Sequence, residues 1–96
     1  MTPITPVHLN ETDAVVSNLH KGLLFLIMHE PGISDNDRHT LQGELAPDLQ
    51  AETFGQGTLR LVKIWQEQLN LLQNGDVDQK TADALNGLLK KLHALS

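Results

Sequence analysis

The stretch FGQGTLRLVKIWQEQLNLLQNGDVDQKTADALNGLL, Phe54 to Leu89, carries one motif twice. Phe54-Gly55-x-x-Thr58-x-x-x-Val62 returns at a constant offset as Val77-Asp78-x-x-Thr81-x-x-x-Leu85. Each copy has the shape of a helix start: an apolar residue, a capping residue, then a polar residue three positions on. Two further stretches have the same shape, Leu9-Asn10-x-x-Asp13 and Ile33-Ser34-x-x-Asp37. Asn, Ser, Gly and Asp are favoured N-caps, because an acceptor there satisfies N–H groups that the first helical turn leaves unpaired. The apolar residue before each cap can staple onto the first turn, with Leu59 a good partner for Phe54. Four starts predict four helices, and the repeat is explained by helix initiation alone.

Apolar periodicity agrees. Val15, Val16, Leu19, Leu23, Leu26 and Ile27 form a three-and-four stripe over residues 11–29, stopped by Pro31-Gly32. From Asp35 a shorter helix continues through Leu41 and Leu45 to Pro47, with Asp48 to Thr53 a further turn or an irregular link. Val62, Trp65, Leu69 and Leu72 define a seam from about Gln56 to Gln73, closed by Asn74-Gly75. Ala82, Leu85, Leu88, Leu89 and Leu92 do the same for residues 79–94. No stretch alternates with period two, so the expectation is an all-α bundle with loops at 30–34, 47–55 and 74–78. Residues 1–9 read as a flexible lead-in and residues 10–96 as one helical domain.

Ninety-six residues with 40% hydrophobic content suit one domain with a net stability of roughly 5 to 14 kcal/mol. With no cysteine, the fold rests on packing and not on disulfides or thiolate-held metal. A net charge of -5 and seven scattered Lys and Arg residues argue against nucleic acid as a partner. The start MTPITPVHLNETD lacks the basic and apolar regions of a Sec signal peptide, and no apolar run is long enough for a membrane span. Localisation stays open. The chain is expected to be a module of a longer protein, whose export would need a non-Sec route.

These residues resemble the peptidoglycan-binding domain-like family, whose signature runs D-G-x-F-G-x-x-T-x-x-A-V-x-x-F-Q and then D-G-x-V-G-x-x-T-x-x-A-L. Phe54, Gly55, Thr58, Val62 and Gln66 match the first half, and Gly75, Val77, Thr81, Ala84 and Leu85 match the second or come near it. Val16-Ser17-Asn18-Leu19-His20 echoes an earlier V-x-x-L-Q, so the likeness spans about residues 14–93. Leu61, Trp65, Asp78 and His20 depart from it, and Glu52-Thr53 stands near the place of the first Asp-Gly. The resemblance implies a small orthogonal bundle of three core helices plus a shorter one. It also implies a noncatalytic binding or targeting module of a larger bacterial protein, with peptidoglycan or a related envelope glycan as ligand and no cofactor. Its variants with a Leu-rich first helix, here LHKGLLFLIMHEPGIS, are similar to modules of insecticidal toxin complexes. That implies the alternative, a protein–protein docking domain of a toxin or secreted effector assembly.

No nucleophile with its base, paired carboxylates or H-x-x-x-H spacing stands out, so neither catalysis nor a metal site is expected. His20, one position past the stripe, is expected to hydrogen-bond at a helix interface. Trp65, Phe25 and Phe54 all have core explanations, which leaves glycan recognition to polar side chains near the junction of the third and fourth helices. The candidates are Arg60, Lys63, Gln66, Asn74 and Asp76. Lys90-Lys91 suits the final carbonyls of the last helix. If Asp78 is a cap, Asp78→Ala costs about 0.5 to 2 kcal/mol and leaves binding by the folded fraction unchanged. Denaturant midpoints and partner titrations check this; lost binding at unchanged stability would make the motif a recognition element.

Overall fold

In the computed structural model, which describes residues 1–95, the chain forms α1 (Ala14–His29), α2 (Asp35–Ala51), α3 (Gln56–Gln68) and α4 (Gln79–Lys91). Among the described residues there are no strands, only an isolated antiparallel bridge between Val7 and Val77. The fold is a small all-α bundle. α1 supplies the largest share of the core through Val16, Leu19, Leu23, Leu26 and Ile27; α3 adds Leu61, Val62 and Trp65, and α4 adds Ala82, Leu85 and Leu89. Of the four expected staple residues, Phe54 and Val77 are fully buried, Ile33 is half-buried and Leu9 is exposed. Removing this apolar surface from water is the main favourable term of the fold.

The caps depart from expectation at two of the four starts. Ser34 and Asp78 cap α2 and α4, accepting from the N–H groups of Asp37 and Thr81 at 3.2 and 2.8 Å. α1 is capped by Asp13 and not by Asn10; the Asp13 side chain accepts from Val15 N–H. Asn10 instead takes a left-handed conformation, φ +74°, and donates its N–H to Phe54 O. At Gly55 no side chain is present to cap α3, and α2 supplies one: Asp48 Oδ2 accepts from Gly55 N–H at 3.0 Å and Thr58 N–H at 2.7 Å. The two halves of the repeat start their helices by different means.

α2 was expected to stop at Pro47 and to be the short helix, yet at 17 residues it is the longest and Pro47 lies inside it. Proline removes one N–H and leaves the carbonyl four residues back without a partner. Pro47 and Gly43 are both exposed, so water can serve that carbonyl. Glu52, left-handed at φ +54°, ends the helix, with its N–H on Asp48 O and Leu49 O. α3 stops five residues before the expected Gln73, because Asn70 turns left-handed at φ +59° and Leu71 N–H returns to Gln66 O. Leu72, expected in the α3 seam, is therefore 79% exposed.

Residues 1–9 do not hang free as a lead-in. Ile4 and Val7 are buried in the core, and Val7 exchanges both backbone hydrogen bonds with Val77 at 2.9 and 3.2 Å. Ile4 does the same with the Asn86 side-chain amide, both bonds being 2.8 Å. Gly22 makes room for this strap, since a Cβ there would lie 2.7 Å from Ile4 Cδ1. Farther along, Phe54 N–H bonds to Glu11 O, so the segment from Ile4 to Glu11 ties both halves of the repeat together. Ile4 and Val7, on either side of Pro6, are the apolar residues that dock it.

Gly55 has φ −104°, a conformation open to any residue, so on backbone grounds Asp would fit there as it does at 78. Space forbids it: an added Cβ would lie 2.6 Å from Asp48 Oδ1, and one on Gly57 would lie 2.0 Å from Glu44 O. Both glycines permit the close approach of α2 to α3. Gly55→Asp is accordingly expected to destabilise by at least about 1–3 kcal/mol, through overpacking beside a like charge. Asp48→Ala, which strands buried donors, is expected to cost about 3 kcal/mol or more. Urea midpoints for the two variants decide the matter; wild-type midpoints would refute the interhelix cap.

Candidate functional site

Behind the Asp48 cap lies a buried polar chain. Thr58 Oγ1 donates to Asp48 Oδ2 at 2.6 Å, because a carboxylate can only accept. The same hydroxyl oxygen therefore accepts from His20 Nε2 at 2.9 Å, which assigns the ring proton to Nε2. Burial, at 4% exposure, lowers the His20 pKa against the opposing pull of the Asp48 charge. The interface hydrogen bond expected of His20 is present. Thr, His and Asp are the residue types of a hydrolytic triad, but here the hydroxyl proton goes to Asp48 and not to His20. Thr58 is also fully buried, so its oxygen meets no solvent. The same device serves the second half of the repeat, where Gln66 Nε2 donates to Thr81 Oγ1 at 3.1 Å.

Gln66 was a candidate ligand contact, but it is 1% exposed and its amide is engaged within the fold. Nε2 also faces Asp76 O at 2.9 Å and Asn74 Oδ1 at 3.1 Å, while Oε1 accepts from Gly75 N–H at 2.9 Å. It locks the turn between α3 and α4. Gly75 makes that turn at φ +77°, against Leu59 and the stem of Lys63. Asn74 Oδ1 accepts from Asp76 N–H, and the Asp76 carboxylate pairs with His8, whose pKa that hydrogen bond and charge raise. Lys63, Gln66, Asn74 and Asp76 thus gather at one junction as expected. Arg60 is drawn away from it to Glu44 of α2, at 2.6 Å.

A cleft of about 490 Å³ lies elsewhere, bounded by the start of α2, the end of α3, and α4. Trp65, 3% exposed, contributes to the lining beside Ile33, Leu41, Leu69 and Leu88. Ile64 stands on the wall, 38% exposed. The ionisable lining residues are Glu30 and Asp37, both acidic. Arg38 holds the geometry: its guanidinium donates to Ile27 O and Glu30 O, fastening the start of α2 to the end of α1. Sequence periodicity missed the site because Ile64 lies off the α3 seam, and no pattern signals an unfilled gap between helices.

Among the described residues no helix is long and apolar enough to cross a membrane, and no group of His, Asp and Glu gathers to hold a metal ion. The chain matches no family model, no curated protein and no solved structure.

The His20 bond has a pH signature. Its folded pKa lies below the unfolded value of about 6.5, so on acidification the unfolded chain takes up the proton first. Its contribution is complete above that value and is lost as pH falls through the folded pKa. His8 has the opposite sign: its pKa is raised, so its contribution is present at low pH and is lost as pH rises through the folded value. His20→Gln, which keeps a side-chain N–H donor, is expected to fold and to lose less stability between about pH 7 and 5 than the wild type. Urea midpoints across that range test this, and parallel slopes would show that His20 does not titrate with unfolding.

Proposed function

We propose that this chain is a noncatalytic binding module that docks onto a protein partner through the groove between α2, α3 and α4. The groove itself carries the reading: aliphatic surface from Ile33, Leu41, Ile64, Leu69 and Leu88 opens to solvent, while the large aromatic residues Phe54 and Trp65 are buried. Sugar rings favour flat aromatic faces, and Trp65 is almost wholly buried. Aliphatic lining with a few polar rim groups suits protein side chains. In this reading the module serves a larger bacterial assembly, such as the toxin or effector complexes that the sequence resemblance implies.

The second reading, recognition of peptidoglycan or a related envelope glycan, draws on the signature residues and on Lys63, Asn74 and Asp76 around the α3–α4 turn. With Gln66 engaged and Arg60 paired, few free donors remain there. Exposed polar groups exchange water for ligand with little net gain, so such binding is weak. A photo-cross-linking residue in place of Ile64 is expected to capture one defined protein partner, and the same residue in place of Lys80 is not. Sedimentation with purified sacculi is expected to show micromolar or weaker association. Nanomolar association weakened by Lys63→Ala or Asp76→Ala would overturn the docking reading in favour of the glycan.

A further inference from the structure

We infer that the groove takes a cationic segment of its partner, one that sets aliphatic side chains on the groove floor and Lys or Arg residues against Glu30 and Asp37. The inference rests on the docking reading and adds the chemistry of the occupant. Three observations carry it. The floor is aliphatic, so it removes aliphatic anchors from water. The charged groups lining it are two carboxylates and no basic residue, and neither carboxylate belongs to an ion pair among the described residues. Arg38, next to Asp37 on α2, gives its guanidinium donors to the carbonyls of Ile27 and Glu30 and not to either carboxylate, so it offsets one charge and the two carboxylates leave the rim net negative.

Charge also weighs against other occupants. A second copy of this chain would bring a net charge of -5 against another -5. Nucleic acid and anionic membrane surfaces would meet the same repulsion. A cationic segment reverses that sign, gains long-range steering towards the rim, and is discriminated from acidic competitors by like-charge contacts.

Trp65 is the only tryptophan and lines the groove, so its emission reports occupancy directly. The probes are a synthetic peptide with Leu anchors flanked by Lys, the same peptide with Glu for Lys, and the Lys peptide with Ser for Leu. The Lys–Leu peptide is expected to bind saturably, and the Glu–Leu and Lys–Ser peptides at least about tenfold more weakly. Glu30→Gln with Asp37→Asn is expected to erase the preference for Lys over Glu, and Ile64→Ser to weaken the Lys–Leu peptide. Neither acidic side chain makes a hydrogen bond in the fold, so the double variant should keep the wild-type circular dichroism and urea midpoint.

Equal binding of the Lys and Glu peptides, or a preference that survives the double variant, overturns the cationic inference and leaves the docking reading standing. The same holds if no peptide binds while cross-linking from position 64 persists. If both peptide binding and cross-linking are absent, both readings fall. A concentration-dependent change in Trp65 emission without peptide, matched by a dimer in sedimentation equilibrium, would make the occupant a second copy and overturn the inference.

Discussion

The Asp48 carboxylate is the constraint on which the rest of this bundle depends. One of its oxygens accepts three hydrogen bonds, from Gly55 N–H, Thr58 N–H and the Thr58 hydroxyl. Two of these satisfy donors at the start of α3 that no residue of its own loop can reach, because Gly55 has no side chain. A carboxylate at a helix N-terminus also meets the positive end of the helix dipole. Three charge-assisted bonds inside a buried site make the contact between α2 and α3 specific, where aliphatic packing alone would let the helices slide. Gly55 and Gly57 are the complementary half of the contact, since a Cβ on either would occupy space held by Asp48 or Glu44. The helix with the fewest buried apolar residues is thus fixed to α3 chiefly through a polar contact.

That contact explains why the repeated motif is equivalent in sequence but not in mechanism. At Asp78 the cap comes from the residue itself, and the Thr81 N–H bond holds its carboxyl below the usual range. At Gly55 it comes from another helix. What the halves do share is the threonine at the third helical position, whose hydroxyl receives a buried N–H donor from the preceding core helix: His20 for Thr58, Gln66 for Thr81. Each donor also organises its own surroundings. His20 completes the Asp48 cluster, and Gln66 shapes the turn around Gly75. The N-terminal strap then joins the two starts through Phe54 and Val77, which exchange backbone bonds with residues 7–11.

The number of helices and the buried faces of α1, α3 and α4 were legible because amphipathic periodicity and local caps are short-range signals. Ser34 and Asp78 were readable for the same reason. Asp48 was not, since a cap delivered from another helix leaves no mark near the residues it caps. Pro47 misled because a proline inside a helix is tolerable when the orphaned carbonyl faces water, and exposure is a tertiary property. Asn70 was a usable stop signal, a residue tolerant of the left-handed region, but the continuing Leu69 and Leu72 pattern outweighed it. The sequence placed all five candidate ligand residues near the α3–α4 junction; it could not show that Glu44 draws Arg60 away, and polarity could not tell the inward amide of Gln66 from the outward ammonium of Lys63.

The groove arises from how α2 is attached. Its C-terminal half is anchored by Leu45 and Asp48, and its start is clamped by Arg38 to the carbonyls that end α1. Between these points Leu41 is the only residue of α2 large and apolar enough to reach inward, and it remains half-buried. The first half of α2, so poor in apolar residues, stands off the end of α3 and α4, because little on its inner face would fill the gap. Ile64, Leu69 and Leu88 are therefore left with water where a more amphipathic helix would cover them. The two attachments fix both ends of α2 with the gap between them open, so the cleft is present without an occupant to prise the helices apart. Preformation lowers the conformational cost of binding, and here it comes from a polar cap at one end of a helix and a guanidinium clamp at the other.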